Sequence, residues 1–116
     1  MKLKQIDDVI IVRHLALRNS DVGVVVKIGR PAKFPDDGGY YCPYQFLGLG
    51  DERVRYAGGA DELQSVILAL KKIGIELYTS AEYRCGRLYW LEQDNKDLGF
   101  PLPDGVTLED LISRSE

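Results

Sequence analysis

Hydrophobic and polar positions alternate with a period of two in the first part of the chain. Val9–Leu17 is rich in β-branched residues, and residues 22–28 place three aliphatic side chains on one face. The four residues between these runs, 18–21, have the composition of a turn. Two alternating runs that a short polar turn joins predict a β-hairpin.

A second pair of strands is predicted after a break. Residues 29–39 contain two prolines and three glycines, a composition that predicts a loop. Residues 40–49 and 53–57 then alternate again, and Gly58-Gly59 is expected to end the strands. Because Pro43 has no backbone N–H, we expect it at a sheet edge or at a bulge.

The period changes to that of a helix between Asp61 and Tyr78. Asp61 is placed to cap the amide of Gln64, and Gln64 is placed to return the bond, as in a capping box. The segment therefore predicts one amphipathic helix that covers the sheet. Its buried face is predicted to consist of six aliphatic residues, namely Leu63, Val66, Ile67, Leu70, Ile73 and Leu77.

Beyond this helix the periodic pattern is weaker. Residues 87–91 predict a fifth short strand, and Thr107 followed by Asp110 predicts the start of a short C-terminal helix. Together the elements predict an α+β domain, in which an antiparallel sheet of four to five strands, built from two hairpins, is covered on one face by the main helix. All 116 residues are assigned to a single domain, with a core at about residues 9–101 and an extension at 102–116.

Composition narrows the function classes. Hydrophobic residues make up 45% of the chain and charged residues 28%, as in a globular protein. The net charge is −3, without the dense basic stripe of a nucleic-acid binder, so nucleic-acid binding is not expected. No apolar run has the length of a membrane span or of an export signal. These patterns predict a cytoplasmic protein with reduced Cys42 and Cys85, although spacing alone leaves a bridge between them open.

Residues that could carry catalysis or bind a metal ion are few. His14 is the only histidine and lacks a partner pattern, so a structural or surface role is expected. Cys42 shares a predicted strand face with Tyr44 and Phe46 and is expected in the core, whereas Cys85 has no neighbouring base. One histidine and two distant cysteines do not provide the spacing of zinc ligands. We therefore predict no catalytic residue, no cofactor and no metal ion, and we expect a protein that is not an enzyme.

Aromatic residues are the compositional feature that points to a surface. The chain has seven tyrosines, and its aromatic residues cluster in 34–46 and 78–100. Tyrosine and tryptophan are common interface anchors, although some of these side chains are expected to fill the core. The predicted interaction surface consists of seven residues, Tyr40, Tyr41, Tyr44, Arg53, Arg55, Tyr89 and Trp90.

Several motifs resemble a family of small uncharacterised bacterial domains. They are Cys42-Pro43-Tyr44-Gln45, Gly48-Leu49-Gly50, the helix start at 60–66, Leu88-x-Trp90-Leu91 and Leu98-Gly99-Phe100-Pro101. The likeness covers approximately residues 11–101, and the chain after Pro103 lies outside it. The resemblance implies an α+β domain of bacterial origin. Because the family has no assigned activity, the resemblance implies no catalytic residue.

Three functional hypotheses follow. The first is a non-enzymatic interaction or accessory module that binds another protein or forms a homodimer, a class that includes immunity-like proteins. The second is a regulator that binds a small molecule or nucleotide in a pocket between residues 29–39 and the Trp90 region. The third is an enzyme in which His14, Cys42 and a carboxylate meet, which requires His14 and Cys42 on the same face of the sheet.

Overall fold

The computed structural model of the protein describes residues 1–36 and 38–114. It has the expected α+β architecture, with an antiparallel sheet, one main helix and a short C-terminal helix. No helix in the described ranges is long and apolar enough to cross a bilayer. The elements are β1 (Val9–Leu17), β2 (Val24–Gly29), β3 (Ala32–Lys33), β4 (Tyr40–Leu47), β5 (Arg55–Gly59), α1 (Glu62–Tyr78), α2 (Ala81–Arg84), β6 (Leu88–Tyr89) and α3 (Leu108–Arg114).

Strand β4 is central and pairs on both sides. On one side β5 pairs with residues 40–44. On the other side β2 pairs with residues 44–47 and β3 with residues 40 and 41, so β3 continues β2 beyond a break at Arg30-Pro31. Strand β1 pairs with β2, and β6 pairs with the end of β1. The order across the sheet is therefore β5, β4, β2 with β3, β1 and β6.

The break between β2 and β3 corrects one expectation from the sequence and decides between two alternatives for Pro43. Residues 29–39 are not all loop, because β3 lies within them. Pro43 is not at a sheet edge but in the central strand. The ladder between β2 and β4 stops at Ile28 opposite Tyr44 and resumes, shifted by one residue, at Ala32 opposite Tyr41. Pro43 lies in this irregularity, which fits the expected alternative of a bulge position. Its missing N–H therefore breaks no hydrogen bond of the ladder.

The Gly58-Gly59 pair ends the strands as expected, because the two glycines are the last two residues of β5. A Cβ atom on Gly59 would lie 2.4 Å from the backbone nitrogen of Ser65. Real Cβ atoms do not approach backbone atoms so closely, so only glycine fits this position. The glycine thus allows the first turn of α1 to begin directly over β5.

The buried face of α1 is rotated from the predicted one. Leu63 and Ile67 are 67% and 41% exposed, whereas the small residues Ser65 and Ala69 are fully buried. The rotation follows from the close approach at Gly59, since long side chains do not fit where the helix touches the strand. The Ser65 hydroxyl remains satisfied because it donates to the Glu62 carbonyl at 2.7 Å. The other predicted residues pack in or against the core, namely Val66, Leu70, Ile73 and Leu77.

Both helix starts that the sequence predicts are capped. The Asp61 carboxylate accepts the Gln64 amide at 2.8 Å, while the Gln64 side chain accepts the amide of Ala60, one residue before the predicted partner. At α3 the Thr107 hydroxyl accepts the Asp110 amide, and the Asp110 carboxylate accepts the Thr107 amide. Such reciprocal bonds satisfy amides that have no acceptor within the helix.

The hydrophobic core lies between α1 and one face of the sheet. Burial of a large aliphatic or aromatic side chain stabilises a fold by about 1.5–3 kcal/mol before the loss of conformational entropy is subtracted. Leu111 of α3 is also buried, so the C-terminal extension packs on the same core. On this face, the buried side chains of β2 and β4 are those of Val24, Val26, Ile28, Cys42, Tyr44 and Phe46.

Candidate interaction surface

The seven residues predicted for an interaction surface lie in different places. Tyr44 and Arg55 are opposite each other on the face that α1 covers, and Tyr44 is 0% exposed, so it belongs to no open surface. Tyr41 lies on the uncovered face, because successive residues of a strand point to opposite faces. Tyr89 and Trp90 lie beyond β1, at the other side of the sheet. The structure therefore does not bring the seven residues together.

Tyr40 and Arg53 lie near opposite ends of β5. Tyr40 is opposite Gly59 at one end, and the Lys33 ammonium is 5.9 Å from its ring centroid. Arg53 precedes the other end and is exposed, with its Nε 3.4 Å from a carboxylate oxygen of Asp51. An exposed ion pair of this kind contributes little stability.

Three aromatic rings form a cluster on the uncovered face of the sheet. The Phe34 ring centroid lies 5.2 Å from that of Tyr41 and 5.8 Å from that of Tyr56, and the two tyrosine rings are 6.0 Å apart. These distances are in the range in which aromatic pairs attract each other. All three side chains are partly exposed. We call Phe34, Tyr41 and Tyr56 the aromatic cluster.

Of the aromatic cluster, the sequence-based prediction named only Tyr41. Phe34 lies in the segment predicted as loop, and Tyr56 was expected in a strand but not as part of the surface. The register of the β4–β5 pair is what brings them together, since it places Pro43 opposite Tyr56 and Gly58 opposite Tyr41. A Cβ on Gly58 would lie 3.4 Å from the Phe34 ring, at ordinary contact distance, so the ring packs directly beside this residue of β5.

Beneath α1, three polar side chains meet at the core. Arg55 Nε lies 3.3 Å from Glu76 Oε1, and the guanidinium lies 5.1 Å from the Phe46 ring centroid. Burial raises the pKa of Tyr44 above its ordinary value, the Glu76 carboxylate raises it further, and Arg55 lowers it. Within the described ranges, the Tyr44 hydroxyl has no partner in hydrogen-bond geometry. This group links β4 and β5 to α1 and is internal.

Trp90 belongs to a clamp between β1 and the chain after β6. The Arg13 guanidinium lies 4.0 Å from the Trp90 ring centroid and 4.9 Å from that of Phe100. Its Nη1 also donates to the carbonyls of Gly99, at 2.9 Å, and Leu98, at 3.2 Å. Stacked arginine contacts of this kind stabilise a fold. We call Arg13, Trp90 and Phe100 the Arg13 clamp, and its role here is structural.

Tyr78, at the end of α1, holds the same loop from the other side. Its hydroxyl donates to Asp97 at 3.1 Å and accepts the Leu98 amide at 2.8 Å. Burial raises the pKa of Tyr78 to about 12, and the bond from Leu98 partly opposes that shift. A Cβ on Gly74 would lie 2.6 Å from the Pro101 carbonyl oxygen, so glycine permits this close packing.

His14 and Cys42 lie on opposite faces of the sheet, so the hypothesised catalytic site of these two residues does not form. His14 is opposite Val25 and exposed, whereas Cys42 is fully buried below α1. Burial raises the pKa of the Cys42 thiol to about 11, which keeps it protonated and unreactive at neutral pH. In residues 1–36 and 38–114, no three His, Cys, Asp or Glu side chains are grouped to hold a metal ion.

The pocket expected between residues 29–39 and Trp90 does not form either. The sheet order puts residues 29–39 beside β4 at one end of the strands and Trp90 beyond β1 at the other end. A different cavity, of about 370 Å³, lies between β5 and α1. Ala57, Leu68 and Ile75 give it an apolar lining, and the charged side chains of Lys71, Lys72 and Glu76 also line it. We call it the helix cavity.

A comparison with protein-family models matches residues 11–102, which include the sheet from Ile11, helix α1 and the Arg13 clamp. The chain belongs to the DUF6968 family. DUF6968 is described as a domain of unknown function, so membership confirms the expected resemblance but assigns no activity. Neither the comparison with curated proteins nor that with solved structures gave a match.

The limits of the DUF6968 match agree with the contacts of the fold. The match ends at Leu102, directly after the segment that Arg13 and Tyr78 hold. Residues 1–10 and helix α3 lie outside it. The Leu98-Gly99-Phe100-Pro101 motif lies within the matched residues, in the segment that Arg13 and Tyr78 hold by hydrogen bonds.

Proposed function

We propose that this DUF6968 domain is a protein-interaction module without catalytic activity of its own. The observation that carries the proposal is the aromatic cluster, whose three rings are partly exposed on the face that α1 leaves uncovered. Tyrosine supplies a large contact area at a small cost in conformational entropy, together with a hydroxyl for hydrogen bonds. A partner that covers the cluster removes this apolar area from water.

The surroundings of the aromatic cluster favour a protein partner with an apolar centre and a rim that carries both charges. Lys27 lies on the uncovered face, and Asp7, Asp8 and Arg30 line a pocket beside Tyr41. Charges of both signs at the edge of an apolar patch improve the specificity for a partner with complementary charges. The cluster itself would provide the central contacts that dominate affinity in protein interfaces.

The proposal is tested with the purified domain as bait in a lysate of the organism that encodes it. We expect a protein that the wild type and Leu63→Ala capture and that Tyr41→Ala/Tyr56→Ala does not. Leu63 is a suitable control because it is exposed on α1, away from the uncovered face. With the purified partner, the double variant should raise the Kd by about 30-fold, as expected for central aromatic anchors. Equal affinity of the double variant would contradict the proposal.

The two alanine substitutions also remove packing between the rings, so folding is measured in parallel. Near-ultraviolet circular dichroism and the urea midpoint show whether the double variant is folded. Tyr41→Phe and Tyr56→Phe keep the ring packing and remove only the hydroxyls. We expect these variants to weaken binding by less than the alanine variants, since the ring area supplies most of the contact.

A second candidate function is the binding of a small anion with an apolar tail in the helix cavity. Its apolar lining and its two lysines, Lys71 and Lys72, beside one carboxylate, Glu76, favour this ligand class. A thermal-shift series with medium-chain fatty acids, nucleotides and sugars tests it. We expect stabilisation by the fatty acids alone, and we expect Lys71→Gln to reduce it. A flat response to all three classes would contradict this candidate.

A further inference from the structure

We propose that two copies of this chain pair through the free edge of β1, as antiparallel strands with a two-fold axis near Ile11. This proposal does not rest on the proposed function, because the aromatic cluster takes no part in it. Its evidence is the unpaired backbone of β1, the exposed apolar side chains there, and the order of charges along the strand.

The outer side of β1 is unpaired over most of its length. In the described ranges, β6 is the strand on that side, and it pairs only with Ala16 and Leu17. The Arg18 amide donates to the Arg87 carbonyl on the same side. Since alternate residues of a strand direct their N–H and C=O groups to the same side, the corresponding groups of Val12 and His14 face the free edge.

Four consecutive branched aliphatic side chains accompany this unpaired backbone. Val9, Ile10, Ile11 and Val12 are between 39% and 49% exposed. An open edge with unpaired N–H and C=O groups and apolar side chains is a template for another strand. Pairing would satisfy the backbone groups and remove apolar area from water on both faces of the sheet.

The order of charges along β1 favours a second copy in antiparallel orientation. Asp7 and Asp8 precede the apolar run, and Arg13 and His14 follow it. An antiparallel copy brings the acidic end of one strand to the basic end of the other, whereas a parallel copy places like ends together. A self-complementary, two-fold contact also closes after two copies and does not extend into a fibre.

The four flanking residues keep their internal contacts in this arrangement. Asp8 pairs with Arg30 at 2.7 Å, and Asp7 accepts a bond from Gln5 at 3.0 Å. The pairing of β1 with β2 shifts by one residue between Val9 and Ile11. With the two-fold axis at Ile11, the exposed His14 of one copy therefore lies beside Asp7 and Asp8 of the other. Arg13 remains in the Arg13 clamp and adds positive potential at the same end of the strand.

Sedimentation velocity across about 1 µM to 1 mM protein tests the association. Because pairing of a few residues gives a small interface, we expect a dimer with a Kd on the order of micromolar. Val12→Lys should raise the Kd at least tenfold, and Val22→Lys, the same change at a 71% exposed position outside the strands, should not. A wild type that is monomeric throughout, or equal effects of the two variants, would overturn the proposal.

Cysteine cross-linking tests the orientation and the register in a Cys85→Ser background, which removes the exposed thiol. Ile11→Cys should form an intermolecular disulfide, because opposite residues of a non-hydrogen-bonded pair have Cα atoms about 4.5 Å apart. Val9→Cys should not, since its own copy would lie about 13 Å away along the strand. Cross-linking of Val9→Cys in preference to Ile11→Cys would refute the antiparallel arrangement at this register.

These results are separable from those for the proposed function. Tyr41→Ala/Tyr56→Ala should still dimerise, and monomeric Val12→Lys should still bind a partner that the aromatic cluster recognises. A second variant, His14→Asp, adds an acidic group beside Asp7 and Asp8 of the other copy and should weaken the dimer by a smaller factor than Val12→Lys. No effect of either substitution on the dimer would place the interface elsewhere and contradict the proposal.

Discussion

The two edges of the sheet are built differently. Strand β5 at one edge has five residues, two of them glycine, and the Lys72 ammonium donates to the edge-facing Tyr56 carbonyl at 2.9 Å. Strand β1 at the other edge has nine residues, and the branched side chains at 9–12 are exposed beside its unpaired backbone. A short strand with a lysine over it resists pairing with other chains, whereas a long apolar edge invites it.

The difference between the two edges reflects which side of the sheet α1 covers. Helix α1 reaches the β5 edge because Gly59, Ser65 and Ala69 allow close contact. In residues 1–36 and 38–114, the β1 side has no comparable cover beyond the Arg13 clamp and β6. We therefore expect the covered side to contribute most of the stability, and the uncovered face and the β1 edge are the surfaces that we propose for partners.

The largest expected effect is on the closed side, at Gly59. Gly59→Val should reduce the free energy of unfolding by about 3 kcal/mol, because its Cβ would meet the Ser65 backbone, which cannot move aside. Urea denaturation followed by circular dichroism measures the change. Gly58→Ala is the matched control, since its Cβ would be at ordinary contact distance from Phe34, and it should cost less than about 1 kcal/mol. Equal effects at both glycines would show that α1 does not press on β5.

The second-largest loss of stability is expected at the Arg13 clamp, which holds the chain after β6 against β1. Arg13→Ala removes two ring contacts and two hydrogen bonds to carbonyls and should cost about 2 kcal/mol. Arg13→Lys keeps the charge but not the planar stacking, so it should restore only part of this loss. Trp90, the only tryptophan, reports the change by fluorescence during urea unfolding. Full rescue by lysine would contradict the stacking geometry.

Alkaline pH should weaken the covered side specifically. The pKa values of Cys42 and Tyr78 rise from 9.0 and 10.0 to about 11 and about 12 on folding, and that of Tyr44 also rises. The folded state therefore holds protons that the unfolded chain releases. Stability is fully present below pH 9 and falls as the pH rises. The loss is about 1 kcal/mol per pH unit between pH 9 and 11 for Cys42 and between pH 10 and 12 for Tyr78. Cys42→Ala should remove the part of the loss that begins near pH 9, and a stability independent of pH from 9 to 12 would contradict the burial.

The smallest effect is expected at the lysine that covers the β5 edge. Lys72→Met keeps the aliphatic stem but loses the bond to the Tyr56 carbonyl, and it should cost about 0.5 kcal/mol. The urea midpoint measures this loss of stability. Lys71→Met is the control, because the Lys71 ammonium lies 3.9 Å from the exposed Asp104 carboxylate and not at the strand edge. A larger loss for Lys71→Met would show that the edge carbonyl is not the relevant partner.

The sequence predicted the fold where the hydrophobic period reports burial directly. The alternation in β2 and β4 identified the side chains that fill the core, and the helical period with its caps identified α1. The rotation of α1 was not predictable from that period, because it depends on contact between Gly59 and Ser65, which only the tertiary structure creates.

The candidate surface was less predictable for the same reason. Tyr44 and Tyr41 lie on opposite faces of one strand. Because α1 covers the face of Tyr44, that side chain is internal, whereas Tyr41 is partly exposed. Trp90 was expected at a surface, but the sequence gives no sign that Arg13, 77 residues earlier, stacks on it. The exposed run at 9–12 was recognised as a strand, while its position at an edge follows only from the order of the strands.

Amide hydrogen exchange at Val12 and His14, measured at about 10 µM and about 1 mM protein, tests the central claim that β1 is an open edge used for self-pairing. We predict fast exchange of both amides at the low concentration and at least tenfold slower exchange at the high one. The amide of Tyr56, which faces the β5 edge, should exchange at the same rate in both samples. Protection of Val12 and His14 that is equal at both concentrations would mean that the chain covers this edge itself, and fast exchange at both would mean that no second copy pairs there.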